Sequence, residues 1–289
     1  MLGRCRRRVL LLDGGEPRNA RAQALHGYLT RDGTPPAELM RLGREELERY
    51  PSVTYQRGTV VDARRTASGF TIRCANGGTT DCRAVLLATG VVDQLPEIPG
   101  VPALYGRSVF HCPLCDGWEV RDRALAVYGR GDDALALAIS LKAWSADVIW
   151  CTHGSPATPE QRQRLAPHAI DVRDEPIVRV DAAPGDSLRI AFAKGAAVER
   201  RALFFKTGQQ ERSPLAAQLG CEFTAEGTVR TDEHEGTRIP GLYVAGDASH
   251  GDQLAIVAAA EGAVAASAIH EWLWQRDVAT AEGGSPAAG

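Results

Sequence analysis

The sequence predicts an α/β fold made of buried parallel strands that end at ligand-binding turns, and three segments carry this prediction. The apolar run 84–88 ends at Thr89-Gly90, which is typical of a parallel strand buried on both faces. Residues 123–151 have the pattern of strand, glycine-rich turn, helix and strand. A further strand ends at Gly246-Asp247. In open α/β sheets, ligands bind at the carboxyl ends of such strands.

Length and composition indicate an ordinary globular protein with two domains. The 289 residues carry a net charge of −3, and 44% of them are hydrophobic. This composition predicts neither a nucleic-acid partner nor a membrane partner. The seven cysteines are odd in number and irregularly spaced, so they do not form a secreted disulfide framework. We therefore expect a cytoplasmic protein.

The first predicted strand covers residues 8–12. The arginines before it resemble the charged start of a signal peptide, but the apolar run stops at Asp13. A turn at Gly14-Gly15 follows. In a dinucleotide-binding unit, an acidic residue at the end of the second strand binds the adenosine ribose, and Asp13 has that position. A solvated aspartate in a turn is the alternative.

The remaining elements follow from apolar periodicity and from turn residues. Prolines and Gly100 in residues 96–102 predict a crossover between two domains. We expect a disordered tail over residues 279–289. Helices are predicted over 36–50, 134–144, 159–167 and 253–274, and strands over 52–62, 69–74, 79–88, 123–128, 147–151, 177–181, 188–192 and 202–205.

The segment Cys112-Pro113-Leu114-Cys115-Asp116 is the most informative motif. Two cysteines at this spacing can close a disulfide and reopen it. Pro113 suits the first position of a short helix, which leaves Cys112 at the helix N-terminus. Oriented N–H groups there favour the thiolate of Cys112. Asp116 can carry a proton to or from a thiolate.

Three other interpretations of this pair are possible. Zinc needs a second ligand pair, and the other five cysteines form no second C-x-x-C, so no metal site is predicted. A c-type haem needs histidine directly after the second cysteine, where Asp116 stands. Two buried apolar cysteines remain the third possibility. Redox use is favoured.

Residues 129–134 form a G-x-G-x-x-A turn between a predicted strand and a predicted helix. Such a turn brings backbone N–H groups and a helix N-terminus against a pyrophosphate. A tight turn without a ligand is the alternative. The second strand is followed by no acidic residue, which favours NADPH and leaves NADH open, with His153, Arg162 and Arg164 as candidate phosphate partners. The predicted nucleotide-binding residues are Gly129, Gly131, Asp132 and Ala134.

These motifs, in this order and spacing, resemble the thioredoxin reductase-like FAD/NAD(P)-dependent disulfide oxidoreductases over nearly the whole chain. The features that carry the resemblance are Thr89-Gly90, the C-x-x-C, the G-x-G-x-x-A turn and the run 239–247. The resemblance implies two Rossmann-like dinucleotide-binding domains. Residues 1–106 and 209–278 would form a split FAD domain, and residues 107–208 would form an inserted NAD(P)H domain carrying the disulfide. A homodimer is also implied.

The resemblance also implies roles for individual residues. Asp247 would hold the ribityl chain of FAD, and the helix that starts after Gln253 would face the flavin ring. Cys115 would lie against the flavin, Cys112 would attack the substrate, and Asp116 would be the acid/base. Electrons would pass from NADPH through FAD to the disulfide, with domain rotation, and on to a thioredoxin-like protein or a small disulfide. The predicted FAD-binding residues are Asp13, Gly14, Thr89, Gly90, Gly246, Asp247, Gln253 and Ala255.

One departure from the family concerns the N-terminal region. Members begin with a strand and a G-x-G-x-x-G turn for the FAD pyrophosphate, and this sequence contains neither. We expect that the first βα unit is missing because the sequence is truncated, rather than because the protein is a flavin-deficient remnant. Two alternative functions stay open. One is a dithiol oxidase that closes disulfides on small metabolites with oxygen as acceptor, and the other is a flavin-free nucleotide-binding regulator.

Overall fold

The computed structural model describes residues 1–206 and 208–282. The first segment contains β1 (Val9–Asp13), α1 (Pro36–Leu47), β2 (Val53–Arg57), β3 (Val60–Thr66), β4 (Gly69–Cys74), β5 (Thr79–Cys82), β6 (Val85–Leu87), β7 (Val91–Gln94) and α2 (Val101–Leu104). The middle segment contains β8 (Val109–Phe110), α3 (Pro113–Asp116), β9 (Leu125–Tyr128), α4 (Gly131–Ser140), β10 (Val148–Cys151), α5 (Pro159–Leu165), β11 (Asp171–Arg173), β12 (Ile177–Ala183), β13 (Ser187–Phe192), β14 (Val198–Arg200) and β15 (Ala202–Phe205). The last segment contains β16 (Gly208–Glu211), α6 (Leu215–Leu219), β17 (Leu242–Val244) and α7 (Ala255–Ala281).

A five-stranded parallel sheet lies at the centre of the middle segment, in the spatial order β11-β10-β9-β15-β8. Its central strands are apolar and buried on both faces, as the sequence predicted. One core cluster includes Leu135 of α4 and Trp150, and the other includes Leu203 and residues of the β12–β13 hairpin. The strand, turn, helix and strand of β9, α4 and β10 form a Rossmann-like unit, and the predicted α/β class is confirmed.

The predicted strand over residues 79–88 is two strands that belong to different sheets. β5 joins β3 and β4 in a three-stranded antiparallel sheet, whereas β6 pairs in parallel with β17. The polar residues of β5 are largely exposed, while β6 becomes buried towards Leu87. The change from polar to continuous apolar residues marks the break that the sequence prediction missed. The predicted strand over 52–62 is likewise divided into β2 and β3.

Two passages of the chain pair with each other. One connects the first segment to the middle segment, and the other connects the middle segment to the last. β7 and β16 form an antiparallel ladder that joins Val91 to Glu211 and Gln94 to Gly208. The two chain passages therefore lie side by side. The domain boundaries 1–106, 107–208 and 209–278 remain predictions.

Strand β1 pairs with β2 only, and β6 pairs with β17 only, within the described part of the chain. No ladder joins these two parallel pairs among the same residues. Leu10 and Leu11 of β1 are 37% and 38% exposed, which is high for a parallel strand of this composition. A missing first βα unit beside β1 stays a prediction.

Helix α7 is longer than predicted. It continues to Ala281, so Ala279–Ala281, which the sequence analysis assigned to the disordered tail, are helical. Its many alanines have the highest intrinsic helix propensity, which explains the extension. The rest of the predicted tail, from residue 283 onward, lies outside the described residues. Among residues 1–206 and 208–282, no helix is both long and apolar enough to cross a membrane.

Candidate functional site

The two cysteines of the C-x-x-C motif form a disulfide at the start of α3. Cys112 is the N-cap residue, Pro113 is the first helical residue, and the Cα atoms of Cys112 and Cys115 are 5.3 Å apart. The backbone N–H of Cys115 donates a hydrogen bond to Sγ of Cys112 at 3.2 Å. A donor in this position stabilises a thiolate when the disulfide is open, so Cys112 is the better nucleophile.

Close packing behind the disulfide explains the glycine after Asp116. A Cβ atom at Gly117 would lie 2.5 Å from the carbonyl oxygen of Pro113 and 2.8 Å from the indole nitrogen of Trp144. On the outer side, Leu114 and Trp118 are 77% and 64% exposed. The disulfide therefore lies between a tightly packed inner side and an apolar outer surface.

The carboxyl group of Asp116 is suited to acid–base chemistry near neutral pH. Burial, together with the neighbouring charge of Glu119, raises its pKa to about 7, although His26 acts in the opposite direction. His26 comes from the loop before α1, and its Nε2 lies 3.5 Å from Oε1 of Glu119. Asp116 can thus both donate and accept a proton beside the cysteine pair.

A largely buried arginine, Arg18, contacts two of the segments that were expected to surround the flavin. Arg18 donates from Nε and Nη2 to both carboxylate oxygens of Asp93 at 2.8 and 2.6 Å. Its Nη1 donates to Oδ2 of Asp247 at 2.8 Å and to Oε1 of Gln253 at 2.6 Å. The side chains of Arg18 and Asp93 are only 14% and 4% exposed. Burial opposes ionisation of Asp93, but the bonds from Arg18 hold its pKa below the usual value.

The same network continues to the residue before Cys112. Nη2 of Arg18 lies 3.2 Å from Nε2 of His111, and arginine can only donate. Nε2 is therefore the acceptor, and Nδ1–H of the neutral ring donates to Tyr105 Oη at 2.8 Å. The Tyr105 hydroxyl donates in turn to Oδ2 of Asp93 at 2.9 Å. Burial lowers the pKa of His111, which agrees with a neutral ring.

Sequence reasoning missed Arg18, Asp93 and Tyr105. They lie in a polar loop, a crossover strand and a short turn, and no local spacing connects them. The one available signal was an arginine in the loop after Asp13, a type that is costly to bury without carboxylate partners.

The predicted FAD-binding residues can be placed one by one. Asp13 ends β1, where its carboxylate accepts hydrogen bonds from Gly15 N at 2.7 Å and Tyr55 Oη at 2.6 Å. Burial opposes its ionisation, but these bonds hold the pKa of Asp13 below its usual value. Thr89 and Gly90 follow β6, Gly246 and Asp247 follow β17, and Ala255 begins α7.

The chemistry of these residues fits a flavin nucleotide. Gly90 has a φ of +65°, and no atom lies within 4 Å of the position that a Cβ would take. At Gly14 the nearest atom to such a Cβ is Thr59 Oγ1, at 3.8 Å. Backbone at both turns is therefore open to a ligand. Asp247 and Gln253 meet at Arg18, whose positive charge is balanced by the carboxylates of Asp93 and Asp247.

The G-x-G-x-x-A turn has the shape that its sequence predicts. A Cβ at Gly129 would lie 2.9 Å from Cβ of Ala134, so the first glycine and the small alanine allow the helix to approach the strand. Gly131 has a φ of +70° and open space around it. Asp132 lies in the first turn of α4, where its Oδ1 accepts from Gln161 Nε2 at 3.1 Å.

The candidate phosphate partners near β10 are partly engaged with other groups. Nδ1 of His153 accepts the backbone N–H of Ile177 at 3.0 Å, which leaves its Nε2 as the free nitrogen. Arg162 pairs with Asp174, and Arg164 pairs with Asp132 at 3.3 Å. Arg130, which the sequence analysis did not select, is exposed and donates to the carbonyl of His153 at 3.0 Å.

Two groups of site residues emerge from this geometry. One joins the disulfide, Asp116 and the Arg18 network, and the other is the nucleotide turn at the N-terminus of α4. Hydrogen bonds and ion pairs of the described residues do not connect the two groups. A redox disulfide beside a flavin-type site, together with a separate dinucleotide turn, defines a nucleotide-dependent disulfide oxidoreductase.

Comparison with known proteins agrees with this class. Residues 2–262 match the family model described as pyridine nucleotide-disulphide oxidoreductase, and the chain belongs to that family. It is 30% identical to thioredoxin reductase tcpT of Claviceps purpurea, over 83% of this chain and 78% of the relative. It is therefore an oxidoreductase of a family that uses a flavin and a nicotinamide cofactor.

Solved structures give the same result. The crystal structure of HlmI superimposes with a TM-score of 0.91 at 36% identity, covering 97% of this chain and 89% of the other. An oxidoreductase from Agrobacterium tumefaciens superimposes with a TM-score of 0.87 at 30% identity, covering 94% and 92%. The recognised resemblance and the Rossmann-like fold are both confirmed.

Proposed function

We propose that the protein transfers electrons from NAD(P)H through FAD to the Cys112–Cys115 disulfide, and from there to a disulfide substrate. The observation that carries this proposal is the cysteine pair at the start of α3, with Asp116 beside it. A bound FAD would accept a hydride from NAD(P)H and supply two electrons. The eight predicted FAD-binding residues would hold it. Among them, Asp247 and Gln253 contact Arg18, which in turn contacts His111 next to Cys112.

The chain's own residues account for the thiol chemistry. Two electrons open the disulfide and leave a thiolate on Cys112, which the N–H of Cys115 stabilises. Cys112 attacks one sulfur of the substrate, and the other substrate sulfur leaves as a thiolate that takes the proton of Asp116. The Cys115 thiol passes its proton to the Asp116 carboxylate and attacks Cys112, which closes the disulfide again and releases the second substrate sulfur as a thiolate that takes this proton. Of the two protons used in each turnover, one enters with the two electrons and forms the Cys115 thiol, and the other reprotonates Asp116 from solvent, so each turnover yields two substrate thiols.

The pH dependence of the reduction should follow Asp116. Because its pKa is raised to about 7, the carboxyl group is protonated below that pH and can donate, and it loses this ability as the pH rises. We expect the rate of substrate reduction to fall above about pH 7. Asp116→Asn should give a lower rate without this alkaline fall, measured by stopped flow with the pre-reduced protein. An unchanged profile in the variant would assign the proton to another group.

For the nicotinamide cofactor we propose NADPH, with NADH as the weaker donor. The 2′-phosphate would meet Nε2 of His153 and the guanidinium of Arg130, since Arg162 and Arg164 already pair with aspartates. No hydrogen bond or ion pair among the described residues connects the nucleotide turn with the disulfide, and we propose that each approaches the flavin in turn by domain rotation about the β7–β16 ladder.

Gly131→Ala should raise the KM for NAD(P)H by about tenfold or more, because a Cβ would enter the open space of the turn. A tenfold change corresponds to about 1.4 kcal/mol of binding free energy. Gly185→Ala is the matched control. Its φ of +69° and empty surroundings equal those of Gly131, but it lies in the β12–β13 hairpin. Both variants carry the same backbone strain, so only Gly131→Ala should change the KM in steady-state assays. An equal effect in both would argue against nucleotide binding at this turn.

As substrate we propose a thioredoxin-like protein or a small disulfide. The relative from Claviceps purpurea is named a thioredoxin reductase, which supports the first. The exposed Leu114 and Trp118 beside the disulfide offer an apolar contact surface, which also suits a small dithiol that would be oxidised with oxygen as acceptor. We further propose a cytoplasmic homodimer.

One assay separates these functions. The FAD-supplemented protein is given NADPH with an oxidised thioredoxin, with a small aromatic disulfide, or, without NADPH, with a dithiol and oxygen. NADPH consumption that requires a disulfide supports the reductase. Oxygen consumption that requires the dithiol supports the oxidase, and inactivity in all three arms would contradict both proposals.

A further inference from the structure

Three ligand-type side chains meet behind the Gly246-Asp247 turn. Glu235 precedes β17, His250 follows it, and Glu261 is on α7. Nε2 of His250 lies 3.1 Å from Oε2 of Glu235, and its Nδ1 lies 3.8 Å from Oε1 of Glu261. One donor atom from each residue lies within 4.8 Å of those from the other two.

The two carboxylates of this cluster lack a permanent cation. Their side chains are 6% and 9% exposed, and their only charged neighbour within ion-pair distance in the described chain is the half-exposed ring of His250. Two buried carboxylates this close are costly unless positive charge is supplied, either by a proton shared between them or by a cation. A neutral imidazole does not supply it, but it is a good metal ligand.

Each carboxylate of the cluster is held through its Oε2 atom. Oε2 of Glu261 accepts the N–H of Gly246 at 2.6 Å, which fixes the carboxylate, while Oε1 accepts no hydrogen bond from the described residues and points towards His250. Oε2 of Glu235 is held by Thr231 Oγ1 at 3.4 Å. The carboxylates are therefore oriented by neighbouring groups, as metal ligands usually are.

We propose that Glu235, His250 and Glu261 bind one divalent metal ion of the zinc class. Two carboxylate oxygens and one imidazole nitrogen, with water in a fourth position, match the ligands that zinc accepts. The half-exposed histidine gives the ion a path from solvent. The ion would fasten the loop after β17 to α7 and so fix the turn that carries Asp247. This role is independent of the proposed electron transfer.

The absence of a second C-x-x-C pair predicts no metal site, and Glu235, His250 and Glu261 belong to no local ligand motif. Long-range packing of α7 against β17 brings them together.

Zinc binding to the full chain tests the proposal. The measurement uses a Cys112→Ser/Cys115→Ser background, which removes the C-x-x-C thiol pair as a competing zinc site, after treatment with a chelator. Calorimetric titration with zinc chloride should give one ion per chain, and zinc should raise the Tm. His250→Ala and Glu235→Gln should each weaken binding by at least about tenfold. His234→Ala is the control, since that histidine is exposed and its ring lies 3.7 Å from a carboxylate oxygen of the exposed Glu233.

Two results would overturn the proposal. Equal zinc affinity in the background protein and in His250→Ala would place the ion elsewhere. Absence of zinc binding, combined with a lower Tm in His250→Ala, would show an imidazolium-bridged ion pair only. If His250→Ala does not fold, Glu235→Gln, which keeps the shape of the side chain, decides between these outcomes.

Discussion

Cys115→Ser should lower the rate of NAD(P)H-dependent disulfide reduction by at least about 10³-fold, because the variant cannot close the disulfide that receives the electrons. Serine is close to cysteine in size, and Cys115 is only half-buried, so the fold and flavin binding should be retained. The comparison is made by steady-state NADPH oxidation with a disulfide substrate, with flavin content measured by absorbance.

The matched control is Cys5→Ser. Cys5 is also partly buried but is free and lies far along the chain from the disulfide. It should retain the parental rate. Parental turnover in Cys115→Ser would show that the C-x-x-C motif is not the electron carrier.

Arg18→Met should destabilise the protein by about 3–5 kcal/mol, the usual result of removing one partner from a buried ion pair. The loss is large because Asp93 is 4% exposed and would keep a buried charge without its cation. Asp247 and Gln253 would lose the same partner, so flavin affinity should fall as well. Urea unfolding measures the first effect, and flavin titration measures the second.

An exposed arginine serves as the comparison for Arg18. Arg238 pairs with Glu222 at 2.6 Å, but the two side chains are 80% and 45% exposed. Arg238→Met should therefore lower the free energy of unfolding by less than about 1 kcal/mol. If Arg18→Met lowered the free energy of unfolding as little as Arg238→Met does, the network from Asp93 to His111 would not be a structural connection between the disulfide segment and the flavin-type site.

Much of the fold could be predicted because its elements have strong local patterns. The bounds of β4 and β15 agree with the predicted strands, since β4 alternates apolar and polar residues and β15 is a short apolar run. The division of residues 79–88 was missed because β5 and β6 are separated by only two residues, so one window covers both. Sheet membership depends on partners distant in the sequence, such as β17 for β6.

The residues of the candidate site also fall into two groups, those that a local motif predicts and those that only the fold brings together. Cys112, Cys115 and the glycines of the nucleotide turn belong to motifs in which spacing itself determines geometry. The contacts of Arg18 with Asp93 and Asp247, and the cluster around His250, join residues from distant segments. Nothing in the local sequence indicates which arginine becomes buried, because burial depends on the packed fold.

The most direct test of electron transfer to the cysteine pair is a count of thiols. The FAD-supplemented protein receives one equivalent of NADPH without oxygen, is unfolded, and is then treated with a thiol reagent. The account predicts an increase of about two thiols per chain, as expected for one two-electron disulfide, with no increase in Cys115→Ser. A flavin that is reduced by NADPH while the thiol count stays constant would contradict the account.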